Sequence, residues 1–193
     1  MSSSVNFTGS VFRQRLFGAF AFILFAARLV ELIYRGETAH ILWVCHISNL
    51  LMALGILLGH AEFVRICVLW LILGAPLWPI DIIRTGIIEP TSIGTHYIGL
   101  AIGLLALRQL GMGKFSWFYA WIWFLLLQQL SRMFTPAEYN INLAHAIYPG
   151  WERFFSTYWQ YWLFTTAAAA ICLWLTSNIL SWIFGKRNVS KHG

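Results

Sequence analysis

The chain has 193 residues, of which 59% are hydrophobic, 17% aromatic and only 10% charged, with a formal net charge of +6 and a mean hydropathy of +0.68. Soluble domains carry about 25% charged residues, so an ordinary soluble fold is excluded and a single integral membrane domain over residues 1–193 is expected. Lys and Arg lie mainly between and beyond the apolar runs, which makes the positive balance a topology signal and argues against nucleic acid as a partner.

The first predicted span covers about 16–34. Arg13 and Arg15 before it imitate a signal peptide, but apolar character resumes through 29–34, so the segment is expected to be retained. Arg28, Glu31 and Arg35 recur at i, i+3 and i+7 and share one face, which predicts an intramembrane Arg–Glu pair with either a structural or a substrate or proton role. The second span, 41–58, reads ILWVCHISNLLMALGILL. Wound at about 100° per residue it gathers Cys45, His46, Ser48 and Asn49 on one arc and leaves Leu50, Leu51, Leu54 and Leu58 on the other. Such polar groups in a bilayer are functional candidates, or else hydrogen-bonding glue between helices.

The third span, 63–80, ends in GAPLWPIDIIRTG; Pro76 and Pro79 each remove a backbone donor, so free carbonyls near Gly74–Ala75 and a broken end beside Asp81 are expected. The fourth, 93–110, starts with Thr95 and His96 and carries Gly94, Gly99 and Gly103, which permit close helix approach. The fifth, 115–134, groups Gln128, Gln129 and Arg132 at its end. A long connection follows with Asn140, Asn142, His145 and Trp151, before a sixth span at 157–184.

The predicted fold is therefore all-α, a bundle of six membrane helices. Six spans place both termini on one side with Arg13, Arg15, Arg65, Arg108, Lys114, Lys186, Arg187 and Lys191, against Arg35, Arg84, Arg132 and Arg153 opposite. That bias predicts cytoplasmic termini in a cell membrane, the bacterial inner membrane being the expected one, with the sequons at Asn6 and Asn188 unused. The polar residues of all six segments then fall in the extracytoplasmic half. They predict a pocket for a membrane lipid or other amphiphile, with Arg28, Glu31, Thr95, Arg132, Asn140, Asn142, His145 and Trp151 as its binding residues. Cys45, Cys67 and Cys172 all lie in apolar runs, which is no disulfide framework.

In that setting Cys45, Ser48 or Thr95 offers a nucleophile, His46 or His96 a base, and Asn49, Asn142 or Arg132 an oxyanion donor, with Asp81 as a further acid or base. The Cys45-His46 pair in the second span, His96 heading the fourth, and the Asn-rich connection before the sixth resemble the YwaF-like membrane proteins and the androgen-induced-type lipid hydrolases and acyltransferases. The resemblance covers about 41–163 and implies hydrolysis or transfer of a fatty acyl group on a membrane lipid. Two alternatives stay open. One is a zinc hydrolase using His46, His96 and His145, with Asp81 as a fourth ligand or general base, although no HxxxH or HExxH spacing is present. The other is a small-solute carrier or channel, or an assembly subunit, to which the proline-interrupted third span and the Arg28/Glu31 pair are suited.

Overall fold

Backbone in a bilayer has no water to bond, so apolar segments close their hydrogen bonds within themselves as helix. The computed structural model describes residues 11–185, apart from the side chains of 11–14, Asp81, Arg84 and Thr85. Among the described residues every regular element is helical. The charged tail residues Lys186, Arg187 and Lys191, the sequons at Asn6 and Asn188, and the Arg13 side chain lie outside that description.

Six long helices carry the fold. They are α1 (Val11–Tyr34), α2 (Val44–Leu58), α3 (Ala61–Thr85), α4 (Pro90–Leu110), α5 (Ser116–Phe134) and α6 (Tyr158–Phe184). Four of them, α1 from Arg15 onward, α3, α4 and α6, are long and apolar enough to cross a membrane. The second predicted span is shorter than expected. A 3₁₀ turn occupies Thr38–Leu42, and Trp43, at φ −53° and ψ 133°, is extended, so the helix starts only at Val44. Its 15 residues reach about 22 Å, against a hydrocarbon core of about 30 Å.

Helix α3 is the centre of the bundle, packing against α2, α4, α5 and α6. Val64, Cys67, Val68, Leu69 and Leu71 along it are fully buried. The α2–α3 hairpin is tight because Gly59 adopts φ 73° and the His60 N–H returns to the Gly55 carbonyl, which closes the helix end without extra chain. At the outer edges α1 and α6 expose Ile23, Val30, Ile33, Leu163, Ile171 and Trp182, the apolar faces that lipid would cover.

The expected break in the third span does not occur. Helix α3 passes through Pro76 and Pro79 and ends five residues beyond Ile80, at Thr85, with Gly86 as a left-handed cap at φ 70°. Asp81 therefore sits within a helix rather than at a broken end. The Ala75 carbonyl, four residues before Pro79, has lost its N–H partner and accepts instead from the Tyr97 hydroxyl of α4 at 3.3 Å. In α4 the turn Gly94–Ile98 is a single π turn inside an otherwise α-helical run. Such widened turns concentrate at functional sites.

Close approach of α2 and α4 depends on Gly99. A Cβ there would lie 2.2 Å from Asn49 Oδ1, and one at Gly103 would lie 2.6 Å from Val68 Cγ2. Gly99→Ala should therefore push α4 away from a fully buried amide and lower stability by about 1–3 kcal/mol. Thermal unfolding in detergent checks this, and an unchanged midpoint would contradict the packing described.

Candidate functional site

The site begins with Arg28, on the second-last turn of α1 and only 2% exposed. A buried guanidinium must spend its donors on partners. Nη1 donates to Glu31 at 3.0 Å, Nη2 to Glu89 at 2.5 Å, and Nε to His46 Nε2 at 3.3 Å. Glu89 is the residue before Pro90 at the start of α4, where a negative charge also suits the helix dipole. It pairs in addition with Arg35 at 2.7 Å, and Arg35 reaches Glu37 at 3.0 Å. Thr91 donates its hydroxyl to Glu31. Two guanidinium groups thus face three carboxylates, and one chain of ion pairs ties the end of α1 to the start of α4.

His46 extends this chain inward. Its Nδ1 lies 2.9 Å from the His40 carbonyl, and a carbonyl only accepts, so Nδ1 carries the proton. Nε2 then presents a lone pair to Arg28. The ring of His96 lies 6.1 Å away at 75°, and Trp78 stacks on His96 at 5.8 Å. His96 Nδ1 is likewise fixed, donating to the Ser92 carbonyl at 2.9 Å. That leaves the Nε2 lone pair of His96 for a further donor. Cys45 adjoins the same spot: a Cβ on Gly74 would lie 3.7 Å from Cys45 Cβ and 3.8 Å from His96 Cδ2.

The other α2 and α4 candidates are engaged by backbone carbonyls of these two helices. Ser48 donates to the Val44 carbonyl at 2.6 Å and Thr95 to the Ser92 carbonyl at 2.9 Å. Asn49 Nδ2 bridges the Cys45 and Thr95 carbonyls at 3.0 and 3.1 Å, and its Oδ1 is buried against Gly99 without a hydrogen bond. Outside the spans, His40 is half-buried on Tyr139, and burial pulls its pKa below the ordinary histidine value.

Arg132, Asn140 and Asn142 form a second cluster whose partners are mostly backbone. Asn142, at φ 54°, donates to the Leu42 carbonyl at 2.8 Å and accepts from the Val44 N–H at 3.0 Å, spanning the break at Trp43. Gln128 holds the Asn142 carbonyl at 3.0 Å. Arg132 binds the Ala144 carbonyl at 2.7 Å and the Tyr158 hydroxyl at 2.7 Å, while Asn140 Oδ1 accepts from the His145 and Ala146 N–H groups. The His145 ring lies against Thr135, at 3.4 Å. Trp151 packs on Phe155, Tyr161 and Phe164 and is 41% exposed.

Arg28, Glu31, Cys45, His46, Asn49, Thr95 and His96 therefore come together, and the asparagine cluster braces them through Leu42–Val44. His145 does not join His46 and His96: among the described residues no group of three or more His, Cys, Asp or Glu side chains is placed to hold a metal ion. The Asp81 side chain lies outside the description. Glu89, Arg35, His40 and Thr91 are the members that sequence reasoning missed as site residues. Only the acid before Pro90, marking a helix start, signals Glu89.

No protein-family model, curated protein or solved structure matches this chain. The site therefore stands on its geometry. Arg28→Met removes the cation shared by Glu31, Glu89 and His46, and should cost about 3 kcal/mol because partly buried acids lose a partner. An unfolding titration in mixed micelles measures this; a loss equal to that of a lipid-facing control such as Val30→Ala would show that the pairs are not coupled to folding.

Proposed function

We propose that the Cys45–His46–His96 region is an acyl-transfer or acyl-hydrolysis site acting on a membrane lipid, with His96 as general base. The observation that supports it most is the fixed orientation of His96. Its Nδ1–H is held by the Ser92 carbonyl, its Nε2 has no hydrogen-bond partner among the described residues, and its ring and Cys45 both border Gly74. A base held in one tautomer next to a candidate nucleophile is the arrangement acyl chemistry uses. Ser48 and Thr95 direct their hydroxyls into their own helices, which leaves Cys45, or a water held by His96, as the attacking group. The resemblance to YwaF-like and androgen-induced-type lipid hydrolases points the same way.

In this reading α2 and α5 also lie within the membrane, giving six spans with cytoplasmic termini in the inner membrane of a bacterium. The Arg28–Glu89 end then faces the extracytoplasmic leaflet, and substrate enters from it. A second reading, an assembly subunit or small-solute carrier whose polar core only holds helices together, is favoured by one observation. Arg28, His46, Ser48, Thr95 and Asn142 are all at most 4% exposed and bonded to protein.

Reconstituted protein given mixed bacterial phospholipids separates the two. Wild type should release or transfer fatty acid, and His96→Gln should lower the rate by about 10²–10⁴-fold at an unchanged melting temperature. Cys45→Ser loses the reaction if the thiol is the acyl acceptor and keeps it if water attacks. Wild-type protein without turnover, together with a loss of stability in His96→Gln, would reject the enzymatic reading in favour of the structural one.

A further inference from the structure

The opposite end of the bundle has a cleft that the site above does not use. It encloses about 470 Å³ between the segment 112–117 and the last turns of α6, and is lined by Lys114, Trp117, Trp174, Ser177, Asn178 and Ser181, among others. We propose that this cleft binds the head group of an anionic phospholipid, its phosphate on Lys114 and the two serine hydroxyls.

Three observations carry the assignment. First, Lys114 makes no ion pair among the described residues and lies over the Phe115 ring, at 5.4 Å. A cation left without a carboxylate beside a half-open cleft is matched to an anion. Second, the hydroxyls of Ser177 and Ser181 are uncommitted. Elsewhere in the chain Ser48, Thr135, Thr165 and Thr166 each return a hydroxyl to a carbonyl four residues back. Ser177 and Ser181 form no such bond among the described residues, and their i, i+4 spacing puts both on the cleft side of α6. Asn178 gives its Nδ2 to the Trp174 carbonyl at 2.8 Å, which leaves Oδ1 as an acceptor for a head-group hydroxyl.

Third, the helix that forms one wall of the cleft also carries an exposed apolar strip. Ile171, Trp174, Leu175 and Ile179 along α6 are 48–59% exposed, a strip along which acyl chains can lie while the head group is held. Tryptophan at a helix end suits the membrane interface, where one edge is apolar and the other wet. A free phosphate ion would use Lys114 and the serines but gain nothing from that strip. The negatively charged cytoplasmic leaflet is the source of such lipids, and Lys114 lies on the side that the charge bias assigns to the cytoplasm. Nothing in this proposal depends on catalysis at His96.

The test is native mass spectrometry of the full-length protein in detergent, titrated with phosphatidylglycerol, phosphatidylcholine or inorganic phosphate. Phosphatidylglycerol should be retained in preference to phosphatidylcholine. Lys114→Gln should reduce that retention about fivefold, the effect of one basic side chain at a charged membrane surface, and Lys114→Arg should preserve it. Ser177→Ala with Ser181→Ala should reduce it as well, at a wild-type melting temperature. Equal retention of the two lipids, or retention unaffected by Lys114→Gln, would overturn the proposal. Displacement of the lipid by millimolar inorganic phosphate would reassign the cleft to a free anion.

Discussion

The polar half of this molecule depends on one constraint, the burial of the Arg28 charge inside an apolar bundle. An unpaired guanidinium there would cost several kcal/mol, so the chain must deliver acceptors to it. Glu31 comes from the next turn of α1, Glu89 from the first residue before α4, and His46 from the first turn of α2. Each of these bonds also sets something else. Glu89 fixes where α4 starts relative to α1, and His46 is held in a single tautomer between Arg28 and the His40 carbonyl. The position of His96, facing His46 on one side and Trp78 on the other, follows from that frame.

A second element keeps the frame at its depth in the bundle. The extended residue Trp43 interrupts the chain between the 3₁₀ turn and α2 and exposes the Leu42 carbonyl and the Val44 N–H; Asn142 satisfies both with one amide. Gln128 in turn holds the Asn142 carbonyl and accepts from Trp162 at 3.1 Å, so α5 and α6 are connected through the loop to the start of α2. Asn140 and Asn142 adopt left-handed backbone conformations, which asparagine tolerates better than most residues. Their abundance in this loop thus has a conformational reason beside any binding role.

The helices were largely legible from apolar run length and glycine or proline punctuation, since both act locally. The expected end of the second span at 58 is where Gly59 caps α2, whereas α3 runs on to Gly86 and α4 starts at Pro90, beyond the expected bounds at 80 and 93. Two features were not legible. The unwinding at Trp43 is enforced by a partner about 100 positions later in the chain, which no local pattern contains. The continuity of α3 through Pro76 and Pro79 depends on Tyr97 taking up the Ala75 carbonyl, again a tertiary partner. For the site, helical spacing on one element placed Arg28 with Glu31 correctly. Glu89, His40 and Thr91 escaped because they join from other segments through side-chain bonds that spacing cannot reveal.

The most direct test of the Arg28-centred frame is the ¹⁵N chemical shift pair of the His46 imidazole, read by NMR on selectively labelled protein in a bilayer. The network predicts a protonated Nδ1 and an unprotonated, hydrogen-bonded Nε2 that shifts when Arg28 is replaced by Met. A protonated Nε2, or shifts indifferent to Arg28→Met, would contradict it.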